Sequence, residues 1–257
     1  MTDDPFYSAK LRIERAEEHL NDFESKIDSF FAENPYTRGV DLDPDGIHEI
    51  YKVRLTKRFP YRWRLLVTEI IEHLRASLDH ATWATAYLAT KNPNLEFGVF
   101  PFSNSAANFE NRMRGVSKDV PTEIQAILRT FQPYKGGNDD LYALNDLCNL
   151  SKHALVAFVA CTTHTGEISS AGGEWDREIG YYRPPVWDRV KNEIPYARVK
   201  RGARFDHQIK LTVYVSLDYR ELTSAESAPA ILDAFLREAQ RVVLAIEAES
   251  RRIGLIT

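Results

Sequence analysis

Apolar residues recur along the first third of the chain at the spacing of an α-helix. Between about residues 7 and 31 they fall three and four positions apart, so they form one stripe on a helix. A second helix is predicted from Pro60 to Thr90, and its aromatic pair Trp83 and Tyr87 lies nearly opposite its aliphatic stripe. A helix that is apolar on two sides packs inside a protein or at a subunit interface.

Strand and turn patterns occur on both sides of this helical region. The sequence Asp43-Pro44-Asp45-Gly46 is typical of a turn, and apolar and polar residues alternate after it, which predicts a hairpin. A continuous apolar run at residues 155–161 predicts a central strand, and strict alternation at residues 209–217 predicts a further strand. Weaker strand patterns lie at residues 177–183 and 196–201.

The remaining helices are predicted from the same spacing and from capping residues, at about residues 106–113, 121–131, 139–152 and 228–253. Together these elements predict an α+β fold in which long amphipathic helices pack together and against a mostly antiparallel sheet. Because strands flank the helical middle on both sides, we expect a single intertwined domain over residues 1–257. Its parts are a helical middle at about residues 60–153, a strand-rich part at 154–220 and a C-terminal helix at 228–253.

Composition and motifs exclude several classes of protein. The chain of 257 residues is 44% hydrophobic and 27% charged, which is ordinary for a globular protein. No apolar run reaches the roughly 18 residues of a membrane span, and the N-terminus MTDDPFYSAK lacks the apolar region of a secretory signal. We therefore expect a cytoplasmic protein without a membrane partner. No phosphate-binding loop, dinucleotide fingerprint or metal-ligand spacing is present, so neither a cofactor nor a metal is predicted.

Charge is distributed unevenly along the chain. Residues 177–210 contain nine basic and four acidic side chains, a net charge of +5, so the rest of the chain, whose total is −4, carries −9. Aromatic residues are interspersed with these cations, and that mixture suits single-stranded RNA or DNA through phosphate contact and base stacking. The candidate nucleic-acid-binding residues are Arg198, Lys200, Arg201 and Trp187. The alternative is a solvated sheet face whose aromatic residues pack at the sheet edge.

Four blocks in the middle of the chain resemble those of a bacterial protein family. They are LRASLDHATWA, FPF, FQPY and LNDLCNLSKH, which begin at Leu74, Phe100, Phe131 and Leu144. The resemblance covers about residues 63–158. It implies a bacterial, cytoplasmic protein and no particular activity.

A looser resemblance is to HEPN domains, helical bundles that often act as metal-independent ribonucleases and carry an Arg, four to six residues and then a His. Arg75 and His80 match this motif within the second predicted helix. The resemblance implies that His80 acts as an acid or base and that Arg75 holds a phosphate. The alternative is structural. Residues five apart lie about 140° apart around a helix, and Arg75 can pair with Asp79 one turn away.

A polar stripe on the helix at residues 139–152 offers further candidates for the same site. Asn145, Asn149 and His153 recur every four residues beside an apolar stripe. We expect the side chains of Asn149 and His153 to face Arg75 or His80 across a helix–helix contact. The candidate catalytic set is therefore Arg75, His80, Asn149 and His153. The alternative is a buried hydrogen-bond network without catalysis.

Two functions follow as hypotheses. The first is a HEPN-like nucleic-acid-associated protein, a metal-independent ribonuclease in defence or stress, and it requires that the helices at residues 60–90 and 139–152 pack together. The second is a non-catalytic homodimeric binding or scaffold protein. It is motivated by the two-sided helix, which leaves more apolar surface than one sheet covers.

Overall fold

The computed structural model describes most of the chain, namely residues 4–152, 155–165, 179–181, 187–188, 190–203, 210–219 and 226–257. These residues contain the helices α1 (Tyr7–Ala32), α2 (Arg62–Thr90), α3 (Ala106–Val116), α4 (Thr122–Phe131), α5 (Asp139–Ser151) and α6 (Ala228–Arg252). They also contain the strands β1 (Tyr36–Leu42), β2 (His48–Leu55), β3 (Phe158–Thr165), β4 (Ile179–Tyr181), β5 (Glu193–Lys200) and β6 (Lys210–Leu217).

The predicted α+β class is confirmed, and each predicted helix forms with both ends within three residues of the expected positions. Local chemistry explains where two of them begin. The side chain of Ser105 accepts a hydrogen bond from the backbone N–H of Asn108 at the start of α3. The side chain of Asn138 does the same for Leu141 at the start of α5. Both bonds satisfy backbone donors that the helix itself leaves without an acceptor.

Every pair of described strands is antiparallel. The strands β1, β2, β5 and β4 form one sheet in that order, and β3 and β6 form a second sheet of two strands. The predicted hairpin is β1–β2, and Gly46 in its turn has a φ of 72°, a conformation that favours glycine. The apolar run at residues 155–161 was expected as a central strand. In the described part of the chain, β3 instead pairs with β6 alone. The expectation of a central strand was wrong because apolarity does not specify a strand's neighbours.

The chain divides into two compact units, each made of segments that are distant in sequence. The helical unit comprises Met1–Glu24, Arg62–Val156 and Pro229–Thr257, and the sheet unit comprises Ser25–Tyr61 and Ala157–Ala228. The chain passes back and forth between them, and the single intertwined domain over residues 1–257 stays a prediction. No described helix has the length and apolar character needed to cross a bilayer.

The helical unit is built around α2, whose residues Ile71, Leu74 and Leu78 are fully buried. Helices α2 and α5 pack against each other. This contact was the structural requirement of the HEPN-like hypothesis, and it is met. Helix α1 lies beside α2 in the opposite direction, since Ser8 contacts His80 while Phe23 packs edge-on against Trp63.

The four-stranded sheet of the sheet unit has one apolar and one charged face. Alternate residues of β2 and β5, among them Val53, Leu55 and Ile194, belong to a buried apolar cluster. Lys52, Arg54 and Glu193 alternate with them and form ion pairs on the other face. The basic segment predicted for nucleic acid therefore contributes a strand, β5, that carries both core residues and a buried carboxylate.

Candidate functional site

Arg75 is held by three interactions within the helical unit. Its guanidinium forms an ion pair with Asp79 one turn along α2, and its Nε donates to Oδ1 of Asn145 on α5 at 3.0 Å. The guanidinium carbon also lies 4.5 Å from the ring centre of Phe102, a cation–π distance. These contacts neutralise and orient Arg75, as the structural alternative expected.

Asp79 joins this arginine to the loop that follows α2. Its Oδ1 accepts a hydrogen bond of 3.0 Å from the backbone N–H of Phe100, while its other oxygen pairs with Arg75. Phe100 is fully buried and its ring packs on Phe102, at 4.7 Å between ring centres. The pair Arg75–Asp79 therefore anchors the FPF block to α2.

His80 has different neighbours from Arg75. Its Nδ1 lies 2.7 Å from the hydroxyl oxygen of Ser8 on α1, and no described residue bonds to its Nε2. The angle of about 140° between positions five apart on a helix explains this separation. The structure thus does not bring Arg75 and His80 into one shared catalytic arrangement.

A pocket of about 490 Å³ opens where His80 meets the N-terminus of α1 and the loop after α2. The polar groups at its wall are Ser8, Asp79 and His80, and Pro5, Trp83 and Val99 supply apolar surface. No lysine or arginine lines it. Its one charged group, Asp79, is already paired with Arg75. We call this cavity the His80 pocket.

Trp83 supplies the flat wall of the His80 pocket. Its ring is stacked on Tyr87, with 5.2 Å between ring centres and 6° between planes, and 41% of Trp83 is exposed. Gly98 allows the loop to approach this helix closely. A Cβ at Gly98 would lie 3.2 Å from the Cα of Trp83 and 3.2 Å from the Cβ of Ala86. The absence of a side chain at Gly98 therefore sets the width of the pocket beside Trp83.

Histidines along the α1–α2 contact have lowered pKa values. Burial lowers the pKa of His80, and the positive charge of Arg12 lowers it further, against a smaller opposing effect of Asp79. Burial also lowers the pKa of His73, together with the charges of Arg12, His19 and Arg15, opposed by Glu69. Both imidazoles are therefore neutral at pH 7. A neutral ring has one donor and one acceptor nitrogen.

These shifts predict that stability declines as the pH falls. A histidine whose pKa is lower in the folded than in the unfolded state disfavours folding once the unfolded chain begins to bind protons, near pH 6.5. We expect the melting temperature to drop from pH 7.5 toward pH 5.5. Each histidine should lower the free energy of unfolding by at most about 1.4 kcal/mol per pH unit. A variant carrying His73→Gln and His80→Gln should show a flatter profile. An unchanged slope in that variant would contradict the assignment.

The polar stripe of α5 contacts α2 one turn earlier than expected. Asn145, not Asn149, reaches Arg75. Asn149 is exposed, and its Oδ1 accepts a hydrogen bond from Lys152 at 2.9 Å, so the expectation that it faces Arg75 or His80 is corrected. Positions 145 and 149 share one stripe, and spacing alone cannot tell which of them lies opposite Arg75. His153 lies outside the described residues.

The candidate nucleic-acid residues have distinct surroundings in the sheet unit. Arg198 forms ion pairs with Asp43 and Asp45 of the β1–β2 turn, one of them with Nε 2.7 Å from the Asp43 carboxylate. Trp187 is partly buried, and its ring lies 6.0 Å from that of Phe59, against the apolar cluster. Lys200 and Arg201 are exposed at the end of β5. Of the four predicted residues, Lys200 and Arg201 are therefore the exposed cations.

Metal binding and known relatives provide no further guide to the site. Among the described residues, no group of three His, Cys, Asp or Glu side chains is placed to hold a metal ion. Comparison with protein-family models, with curated proteins and with solved structures finds no match to this chain. The assignment of a function therefore depends on the geometry of the chain itself.

Proposed function

We propose that the protein is a non-catalytic binding protein that holds a small, flat, uncharged molecule in the His80 pocket. The observation that supports this most directly is the pairing of a neutral histidine with an exposed tryptophan around one cavity. Ligand pockets commonly combine apolar walls with a few polar groups that orient the ligand. The His80 pocket has this composition.

Charge narrows the ligand class. No lysine or arginine lines the pocket, so a phosphate or a carboxylate would lose its hydration there without gaining a cationic partner, and anions are disfavoured. The charge of Asp79 is in turn balanced by Arg75, which removes the main attraction for a cation. An uncharged molecule is the remaining class.

Hydrogen bonding sets the orientation of the ligand. Because Ser8 occupies Nδ1 of His80, Nε2 is the nitrogen left for a ligand. Depending on which way the Ser8 hydroxyl points, Nε2 either donates or accepts. A primary amide or an amino-substituted heterocycle offers both groups and fits either case, while its ring packs against Trp83.

Benzamide and benzoate form a matched pair of probes, because they share a shape and differ in charge. We expect benzamide to bind with millimolar affinity and benzoate to bind at least tenfold more weakly, about 1.4 kcal/mol. Trp83→Ala should remove benzamide binding because it deletes the flat wall. Gly98→Ala should weaken it because the added methyl group meets Trp83 and Ala86. Calorimetric titration measures all four effects.

Leu65→Ala is the control for these variants, since Leu65 is an exposed apolar residue of the same helix that does not line the pocket. It should leave benzamide affinity unchanged. Equal binding of the two probes by the parent protein, or equal losses in Leu65→Ala and Trp83→Ala, would argue against the His80 pocket as the ligand site.

A metal-independent ribonuclease of HEPN-like type is the second candidate function. The packing of α2 on α5 favours it, as does a neutral His80 that can accept a proton. The three interactions that hold Arg75 argue against it, because a guanidinium engaged by Asp79 and Asn145 has few donors left for a phosphate.

The partners expected from the sequence remain proposals beside this function. Self-association as a homodimer is supported by the exposed aromatic pair Trp83 and Tyr87 and by Tyr7 and Leu11 on α1, which are all more than a third exposed. Single-stranded nucleic acid is supported by the exposed Lys200 and Arg201. We also propose a cytoplasmic location and a bacterial origin, which are supported by composition and by the resemblance of the central blocks.

A further inference from the structure

A second cavity of about 440 Å³ runs along α3 and differs in chemistry from the His80 pocket. We call it the α3 groove. Its polar lining consists of Ser103, Asn104, Asn108, Asn111 and Arg112, and the buried ring of Phe102 adds apolar surface. No aspartate or glutamate lines it. The charged residue that lines the groove is therefore the cation Arg112, whereas the His80 pocket is lined by the carboxylate of Asp79.

Arg112 carries a positive charge that no described residue neutralises. Its neighbours have partners within the protein: Arg129 pairs with the carboxylate of Glu110 at 2.9 Å, and Arg114 donates hydrogen bonds to the backbone oxygen of Glu110 and to Oδ1 of Asn111, both at 3.3 Å. The nearest acidic residue of α3 in sequence, Glu110, is thus already engaged. Within the described part of the chain, the guanidinium of Arg112 keeps its donors for another molecule.

The asparagines around Arg112 also retain hydrogen-bond donors. Asn108 donates to Oδ1 of Asn104 at 3.0 Å, which leaves the amide nitrogen of Asn104 as a donor. Oδ1 of Asn111 accepts from Arg114 at 3.3 Å, which leaves the amide nitrogen of Asn111 as a donor. Two neutral donors and one charged donor therefore line a single groove, a set that matches an acceptor with several oxygens.

Gly115 keeps this groove open. Glycine is unfavourable inside a helix relative to alanine, so its presence in α3 calls for a reason. Its φ is not positive, and a Cβ built on it meets nothing within 4 Å. Neither backbone conformation nor packing against the protein requires glycine at this position. Gly115 lines the α3 groove, and any larger side chain there would project into its space.

We propose that the α3 groove binds a small molecule through an oxyanion, either a carboxylate or a phosphate group. Arg112 forms the charge-assisted hydrogen bonds, and the amides of Asn104 and Asn111 bind remaining oxygens. Phe102 lies beside the rest of the molecule. The site is independent of the His80 pocket, which disfavours anions, so each proposal can fail without the other.

Calorimetric titration of the full chain with inorganic phosphate and with succinate tests this proposal. We expect saturable, salt-sensitive binding of at least one of them. Arg112→Gln should weaken it about tenfold or more, because it removes the charged donor. Gly115→Leu should abolish it by filling the groove. Arg237→Gln is the matched control, since it removes the same charge from an exposed position on α6 outside the groove lining, and it should keep the affinity within about twofold.

The order of the two probes identifies the ligand class. Tighter binding of phosphate points to a phosphate ester, and tighter binding of succinate points to an organic acid. Failure of both to saturate would overturn the proposal, and so would equal losses in Arg112→Gln and Arg237→Gln. Unchanged binding in Gly115→Leu would overturn it as well. A melting curve of each variant verifies folding, and Gly115→Leu should melt no lower than the parent because leucine suits a helix better than glycine.

Discussion

Replacing Glu193 with alanine is expected to lower the free energy of unfolding by about 3 kcal/mol. Glu193 is 5% exposed, and its carboxylate lies on the charged face of the four-stranded sheet. It accepts hydrogen bonds from Nζ of Lys52 at 2.7 Å and from two nitrogens of Arg54 at 3.1 and 3.0 Å. Its removal leaves Lys52 and Arg54 without the carboxylate that they share, and little water reaches the Lys52 ammonium to replace it.

Lys52 is the reason that the effect should be large. Burial alone would lower the pKa of Lys52, but hydrogen bonds with Asp41 and Glu193 raise it, so the amine remains charged inside the sheet unit. Without Glu193, Asp41 is the one described carboxylate that still pairs with the buried ammonium, and its side chain is half exposed. Removing one member of a buried pair leaves an uncompensated charge, which is more destabilising than removing both.

A double variant distinguishes this cause from a simple loss of contacts. Lys52→Met combined with Glu193→Leu should recover most of the stability lost in Glu193→Ala, because it removes both buried charges. Glu33→Ala is the control, since it breaks an exposed ion pair with Lys57 in the same unit and should change stability by less than about 1 kcal/mol. Urea unfolding followed by circular dichroism measures each value. A double variant less stable than Glu193→Ala would refute the buried-charge explanation.

The ends of the helices could be predicted because local chemistry determines them. Apolar spacing, together with caps such as Ser105 and Asn138, specifies helices without reference to the rest of the chain. Strand partners are different, since the apolar run at residues 155–161 indicated a strand and not its neighbour. Pairing of β3 with β6 joins residues about fifty positions apart, and no local pattern contains that information.

The candidate sites could be predicted only in part, because they also depend on contacts between residues that are distant in sequence. The sequence singled out His80 but not Ser8, which contacts it from 72 residues away, nor Gly98, whose role depends on the approach of a loop to Trp83. It found the positive net charge of residues 177–210 but not the ion pairs of Arg198 with a turn 153 and 155 residues earlier. Asp43 and Asp45 were recognised as turn residues, and their second role needed the fold.

The aromatic pair Trp83 and Tyr87 was a second sequence signal that pointed toward the His80 pocket, besides the motif that contains His80. Two aromatic residues four apart, opposite the aliphatic stripe, indicated a second apolar side of α2. In the structure, the rings of Trp83 and Tyr87 stack on each other at the surface of α2 and are partly exposed. The α3 groove had no comparable signal, because the sequence alone shows neither that Arg112 lacks an acidic partner nor that Gly115 lines a cavity.

Replacement of Arg75 is the second large effect that we expect. Arg75→Ala should lower the free energy of unfolding by about 2–3 kcal/mol, because it leaves Asp79 and Asn145 without their partner in a partly buried contact between α2 and α5. The side chain of Arg75 is 19% exposed. Arg237→Ala is the matched control, since Arg237 forms an i, i+4 pair with Asp233 on α6 but is 68% exposed. It should change stability by about 0.5 kcal/mol.

The same variants separate a structural arginine from a catalytic one. If Arg75 served a ribonuclease, Arg75→Ala would abolish RNA cleavage measured in EDTA while stability stayed near that of the parent, and His80→Ala would abolish it too. If Arg75 is the anchor of the FPF block, as its bonds to Asp79 and Asn145 indicate, its loss should reduce stability far more than the loss of Arg237. Cleavage by the parent protein that disappears in His80→Ala would refute the non-catalytic proposal, because it would show that this imidazole acts as an acid or base on RNA and does not only orient a ligand.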